Sequence, residues 1–159
     1  MMEIEVLPHV GLGPFRIGMT FDEAMAAVPE WGAVKHSPAG ERPPGKYVVA
    51  HEQFKFEVVL IFRENETLNS VEAWRFRDED ADVRITLEGT DIFRTPKRRL
   101  RQHLEEQGHP LDYDGIGFDA VPDLKLILAN ASSYEYPKDP KTGAPLYYDY
   151  ALVSDQIYP

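Results

Sequence analysis

The 159-residue sequence predicts an α+β protein made of two similar halves, each with the order β-α-β-β-β. The helices are expected to pack on one face of a largely antiparallel sheet. Two observations predict this fold. A short strand, a capped helix and a run of alternating apolar residues follow one another near the N-terminus, and the same succession recurs about 75 residues later. We expect one globular domain, residues 1–159, with halves of about 1–80 and 81–159.

The first helix is predicted to begin after Thr20. The sequence Thr20-Phe21-Asp22-Glu23 matches a capping box, in which the threonine side chain and the glutamate side chain satisfy each other's backbone amides. Gly18 suits the tight turn before the helix, because glycine adopts positive φ at no steric cost. Asp22 and Glu23 would repel a phosphate, so we interpret this stretch as a helix start and not as a ligand loop. Helical spacing predicts a buried face formed by Phe21, Ala24, Met25, Val28 and Trp31.

Strands are predicted from residue 47 to residue 76. Apolar residues alternate with charged ones, which is the period of a strand with one buried face. The apolar positions are Phe54, Phe56, Val58, Leu60 and Phe62. A turn is expected at 63–68 and a returning strand after it. The charged stretch 77–82 is the expected connector between the halves, and a further strand is predicted at 83–89.

The second half is predicted to repeat the first. Thr95 is the expected N-cap of the second helix and Pro96 its first residue, since proline is favoured there. Strands and loops are expected in 111–118, 121–131 and 147–155. Corresponding residues 75 apart are Ile17 and Ile92, Thr20 and Thr95, and Met25 and Leu100; Gly32 and Gly108 are 76 apart.

The stretch "RIGMTFDEAMAAV" resembles a helix start that contains Gly-Met-Thr in two related groups, the β-lactamase inhibitor protein and the small outer-membrane lipoproteins of the barrel-assembly machinery. The matching residues are Ile17, Gly18, Met19, Thr20 and Val28, whereas the second half has Phe-Arg-Thr at 93–95. The resemblance implies a helix pair on an antiparallel sheet, present twice in tandem in the inhibitor protein, and a role in protein binding. The arrangement also resembles uncharacterised actinobacterial proteins, some of which are presumed immunity proteins for toxins.

Composition narrows the classes of partner. The formal net charge is -10 and the mean hydropathy is -0.40. An acidic surface repels nucleic-acid phosphate and attracts a basic protein. There is no apolar run of about 18 residues, no cysteine and no recognisable signal peptide, so we expect a cytoplasmic protein without a membrane or nucleic-acid partner. The sequence does not indicate the oligomeric state.

No motif indicates catalysis or a cofactor, and none is expected. The five histidines lack the HExxH spacing, and no G-x-S-x-G elbow occurs. Carboxylates that come together only in the folded chain would escape this search, so an enzymatic function remains one of the alternatives. The best metal candidate is the stretch 112–123, where Asp112, Asp114 and Asp123 match EF-hand positions 1, 3 and 12. Ile116 at position 5 and the missing closing Glu favour an ordinary turn instead.

Basic residues concentrate at the second helix. Residues 83–104 carry +4, while 1–82 and 105–159 each carry -7. Cations in the first helical turn oppose the helix dipole and need a compensating partner. One explanation is pairing with Asp80, Asp82 or Asp91. The alternative is an anion site formed by Lys97, Arg98 and Arg101.

The C-terminal segment, residues 132–159, holds six of the eight tyrosines beside several carboxylates. Tyrosine gives large contact area at low entropic cost. We therefore predict a partner-binding surface formed by Tyr134, Tyr136, Tyr147 and Asp149, with the last two on the exposed face of the last strand. The leading function is a non-catalytic protein-binding module, an inhibitor or immunity protein for a basic toxin or enzyme. The alternatives are a protein that binds a small ligand or a metal, and an unrecognised enzyme.

Overall fold

A computed structural model describes residues 2–31, 34–36, 45–51, 55–63, 66–113 and 118–155. Within these ranges the strands are β1 (Met2–Leu7), β2 (Gly11–Leu12), β3 (Phe15–Arg16), β4 (Val34–His36), β5 (Gly45–His51), β6 (Phe56–Phe62), β7 (Leu68–Trp74), β8 (Val83–Leu87), β9 (Thr90–Asp91), β10 (Asp112–Tyr113), β11 (Phe118–Val121), β12 (Leu126–Ala129) and β13 (Tyr150–Ser154). The α-helices are α1 (Phe21–Ala27) and α2 (Lys97–Glu106), and short 3-10 helices form at Val28–Trp31 and Pro122–Leu124. Neither α-helix is long and apolar enough to cross a membrane.

The described strands form two sheets. The smaller has five strands in the order β3-β2-β1-β8-β9, and its central pair, β1 and β8, is parallel with Ile4 opposite Ile85. The larger has eight antiparallel strands in the order β10-β11-β12-β13-β7-β6-β5-β4. The predicted α+β class is confirmed, but the strands divide between two sheets instead of forming one.

Helix α1 begins as predicted. The Glu23 amide donates to the Thr20 hydroxyl oxygen at 3.2 Å, and the Thr20 amide donates to Glu23 Oε1 at 2.9 Å. These bonds to Thr20 lower the pKa of the Glu23 carboxyl. The regular helix ends at Ala27, because Pro29 has no N–H to continue the bonding pattern, and the chain goes on as a 3-10 turn. The predicted capping box is therefore confirmed.

Helix α2 begins one residue later than predicted. Its first residue is Lys97, its N-cap is Pro96, and no side chain caps it. The predicted cap, Thr95, is wrong: its hydroxyl donates to the Asp91 carbonyl at 2.7 Å and so does not face the helix. The Asp91 carboxylate accepts the Phe93 and Arg94 amides, both at 3.1 Å. A side-chain turn centred on Asp91 therefore leads into this helix.

The main core lies between the two sheets and the helices. It combines residues of both helices with the inward faces of both sheets, among them Ile4, Ala24, Leu60, Val71, Ile85, Leu100 and Val153. A second, smaller cluster lies on the opposite side of the large sheet. It contains Ala129, Tyr150 and Leu152, with Trp74 and Ile127 packed against them. All five come from β7, β12 and β13, so within the described chain no helix takes part in this second cluster.

Candidate functional site

The predicted partner residue Asp149 is not on an exposed strand face. Strand β13 begins after it, at Tyr150, and Asp149 is only 5% exposed. Its Oδ1 accepts the backbone amides of Ala131 at 2.8 Å and Ser132 at 3.2 Å. The prediction of an exposed Asp149 is therefore wrong: the carboxylate is an internal acceptor that holds the segment 130–132.

Tyr136 and Tyr147 are half-buried around Arg75. The guanidinium carbon of Arg75 lies 5.0 Å from the centre of the Tyr136 ring and 4.8 Å from that of Tyr147. The Tyr136 hydroxyl donates to the Arg75 carbonyl at 2.6 Å, and burial raises the pKa of Tyr136 to about 12. Both tyrosines thus attach the segment that contains them to the end of β7.

Arg75 itself is 2% exposed and its donors are well used. Its Nε donates to the Phe93 carbonyl at 2.7 Å, and both terminal nitrogens bond to the Glu79 carboxylate. Tyr134 is the exposed member of the predicted surface, at 43%, with its ring 4.8 Å from that of Tyr136 and the Arg77 guanidinium 5.1 Å away. Of the four predicted residues, the structure brings three tyrosines together but directs most of their contacts inward.

The three residues of the predicted anion site line one cleft at the start of α2. The cleft has a volume of about 470 Å³, and Asp139 and Thr142 also line it. Lys97 bonds to Asn130 and lies over the Tyr148 ring at 5.0 Å, and burial together with nearby Arg101 lowers its pKa. The anion site stays a prediction.

The acids that compensate these cations differ in part from those expected. The Arg101 guanidinium lies 3.8 Å from Asp119, whose carboxylate also accepts the Tyr148 hydroxyl at 2.6 Å. Asp91 does form an ion pair, but with Arg94, at 3.1 Å. These ion pairs thus join Asp119 of β11 to Arg101 and Asp91 to Arg94, the residue three positions before α2.

The two described metal candidates, Asp112 and Asp123, lie in different elements. Asp112 is opposite Ala120 in the β10–β11 pair, whereas Asp123 is in the 3-10 helix that follows β11. Asp123 accepts from His109 Nδ1 at 2.8 Å, and its carbonyl contacts His9 Nε2. Asp114 lies outside the described residues. Within the described chain no group of three or more residues that bind metals comes together.

A carboxylate that the sequence did not single out lies in the second apolar cluster. We define the outer face as the side of the large sheet that carries Phe118, Ile127, Tyr150, Leu152, Glu72, Trp74 and Val59. Glu72 lies opposite Val59 on one neighbouring strand and Leu152 on the other, and it is 8% exposed. Its Oε2 accepts the Tyr150 hydroxyl at 2.6 Å. A charged group is thus placed among apolar side chains.

Aromatic rings border this carboxylate. Tyr150 is opposite Trp74, with ring centres 4.9 Å apart in an edge-to-face arrangement, and burial together with the bond to Glu72 raises the pKa of Tyr150. Phe118 is 42% exposed and lies 6.5 Å from the Tyr150 ring. Aromatic rings beside a carboxylate form an environment suited to an organic cation.

Carboxylates outnumber basic residues at the described positions of the outer face. Strand pairing places Glu57, Glu72 and Asp112 on it, against Lys35 and Lys46. Ser70 is also on this face, two residues before Glu72, and its buried hydroxyl has no hydrogen-bond partner in the described chain. Buried polar groups are normally paired, so an unpaired one beside Glu72 is a further unusual feature of this face.

The sequence contains a weak signal for this site. Glu72 and Trp74 alternate with the core residues Val71 and Ala73, which already places a carboxylate and a tryptophan on the side away from the core. Tyr150 joins them only through pairing between β7 and β13, which no local pattern specifies.

Comparison of the chain with protein-family models, curated proteins and solved structures finds no match in any of the three.

Proposed function

We propose that this chain is a non-catalytic protein-binding module that docks a basic partner protein on the outer face of the large sheet. The observation that carries the proposal is the second apolar cluster, which contains two aromatic side chains and adjoins a nearly buried carboxylate, and to which no described helix contributes. Ala129, Tyr150 and Leu152 are buried, so the part of this face that solvent reaches includes Trp74, Ile127 and Phe118. An exposed apolar patch bordered by polar groups marks an interaction site on a soluble protein. An acidic partner is disfavoured because the chain carries -10.

An inhibitor or immunity protein for a basic toxin or enzyme is the form of this function that we favour. Such proteins act by covering a positively charged surface, and an acidic sheet face with aromatic anchors suits that task. In interfaces of this kind the aromatic anchors supply most of the binding energy, whereas the surrounding acids set the association rate and the salt dependence.

We further propose that the chain consists of two related halves, about 1–80 and 81–159. Across the large sheet, the order β10 to β13 is followed by β7 to β4, so each half contributes four consecutive strands on its own side. The helices start 76 residues apart, one more than the spacing of 75 taken from the sequence, so the helix starts pair Leu100 with Ala24 instead of Met25. The same spacing pairs Leu104 with Val28, and all four residues of these pairs are buried. The junction of the two halves, β7 beside β13, then forms the centre of the outer face.

The proposal is tested by affinity capture from a lysate of the source organism, with the wild type, Trp74→Ala and Tyr134→Ala as bait. Tyr134 is the matched control, since it is an accessible aromatic residue of the surface predicted from sequence. We expect one basic protein to be retained by the wild type and by Tyr134→Ala. Loss of an aromatic anchor costs about 2 kcal/mol or more, so Trp74→Ala should weaken binding by about 30-fold in subsequent calorimetry.

All three proteins must have the same melting temperature for the comparison to count. Equal binding by Trp74→Ala contradicts the proposal, and so does retention of no basic protein by the wild type. Loss of binding in Tyr134→Ala alone would show that the partner binds the tyrosine-rich segment instead of the outer face.

A further inference from the structure

We infer that Glu72 accepts an arginine side chain of the partner, with the guanidinium bound between the carboxylate and the rings of Trp74 and Tyr150. This inference rests on the proposed docking at the outer face and names the group that is recognised there.

The first reason is unused bonding capacity at Glu72. A carboxylate offers about four acceptor positions. Within the described chain, the Tyr150 hydroxyl is the one donor to Glu72, and no cation is paired with it. Charged groups this deeply buried are normally paired or hydrogen-bonded several times, because burial removes most of their hydration. Glu72 therefore lacks the partner that its position calls for.

The second reason concerns the type of cation. Arginine presents a planar fork of N–H donors that binds a carboxylate with two parallel bonds, and its flat face stacks on aromatic rings. Trp74 and Tyr150 supply such rings next to Glu72. A lysine ammonium would reach the carboxylate as a strongly hydrated point charge and would use the rings less well. The surroundings thus favour arginine over lysine.

The third reason is the charge and openness of the surrounding face. Glu57 is directly opposite Trp74 and exposed, so it adds negative potential beside the site. Trp74 is half-buried and Phe118 is 42% exposed, so these two rings form the part of the site that solvent reaches. A second copy of this chain is a poor occupant, because each copy carries -10 and the copies repel one another.

The experiment uses the full ¹⁵N-labelled chain and a nine-residue peptide in which one central arginine is flanked by leucines. Matched peptides carry lysine or uncharged citrulline at that position. The indole N–H resonance of Trp74 reports binding, and that of the buried Trp31 is the internal control. We expect titration of the Trp74 resonance to give a Kd for the arginine peptide at least threefold lower than for the lysine peptide. The citrulline peptide should leave the resonance unchanged.

Variants separate specific recognition from general attraction. Glu72→Gln keeps an acceptor for Tyr150 but removes the charge, so we expect it to weaken binding of the arginine peptide by at least tenfold. Glu57→Gln removes one negative charge from the same face, and we expect less than a threefold effect. Equal effects of the two variants, equal binding of lysine and arginine, or no shift of Trp74 each overturn the inference.

The outcomes also separate this inference from the proposed function. If the captured partner is lost with Trp74→Ala but not with Glu72→Gln, docking stands and the arginine acceptor is wrong. If neither variant affects binding of the partner, both proposals fail. Sedimentation of the free protein tests the remaining occupant: a dimer that Trp74→Ala dissociates would assign the face to a second copy and overturn the inference.

Discussion

The segment 130–149 and the outer face of the large sheet are both rich in aromatic rings and carboxylates, but they differ in how their polar groups are satisfied. In the segment, Asp149 accepts two backbone amides, and the rings of Tyr136 and Tyr147 lie against Arg75, which is itself bonded to Glu79 and to a carbonyl. On the outer face, Glu72 accepts one hydroxyl from the described chain.

The difference shows that composition alone does not identify a binding surface. A carboxylate whose acceptor sites are filled from within the chain stabilises that chain, and a partner would have to compete with those bonds. A carboxylate with unfilled sites costs stability and offers them to a ligand instead. Proteins accept such costs at functional sites. We therefore expect substitutions to lower stability in the segment 130–149 and to leave it nearly unchanged at Glu72.

The largest effect is expected at Arg75. Arg75→Met removes the bonds to the Phe93 carbonyl and to Glu79 and leaves the Tyr136 and Tyr147 rings without their cation, so unfolding should become easier by about 3 kcal/mol. Urea denaturation measures this loss. Arg77→Met is the matched control: Arg77 is exposed, and its loss should change the unfolding free energy by less than about 0.5 kcal/mol. A loss no greater than the control's would mean that Arg75 does not hold the segment.

A smaller effect follows from the raised pKa of Tyr136. The folded pKa is about 12 against an ordinary 10.0, so the folded state keeps this proton more tightly than the unfolded state. Its contribution to stability is complete below pH 10 and is lost as the pH rises through about 12. The unfolding free energy of the wild type should therefore fall faster above pH 10 than that of Tyr136→Phe. Parallel pH profiles of the two proteins would show that the Tyr136 hydroxyl is not buried beside Arg75.

Local features of the fold were predictable because their causes are local. Thr20 and Glu23 are three residues apart and satisfy each other, so the start of α1 follows from four letters of sequence. The apolar alternation of β6 likewise needs no distant partner. The division into two sheets depends instead on parallel pairing of β1 with β8, where Met2 meets Val83, and no local pattern encodes that pairing.

The candidate site escaped prediction for the same reason. Tyr136 and Tyr147 were expected on the surface because nothing near them in sequence announces Arg75, which is 61 residues from Tyr136. Glu72 and Tyr150 are 78 residues apart and become neighbours only through the β7–β13 pair. A residue pattern therefore indicates which groups are present, whereas tertiary pairing determines whether their bonding capacity is filled.

The most direct test of the contrast between Asp149 and Glu72 is their effect on the free energy of unfolding, measured side by side in urea. Asp149→Ala deprives the Ala131 and Ser132 amides of their acceptor and should cost about 1–3 kcal/mol. Glu72→Gln keeps an oxygen for the Tyr150 hydroxyl and should stay within about 0.5 kcal/mol of the wild type. An equal or greater loss in Glu72→Gln would contradict the account, because Glu72 would then be a structural acceptor like Asp149.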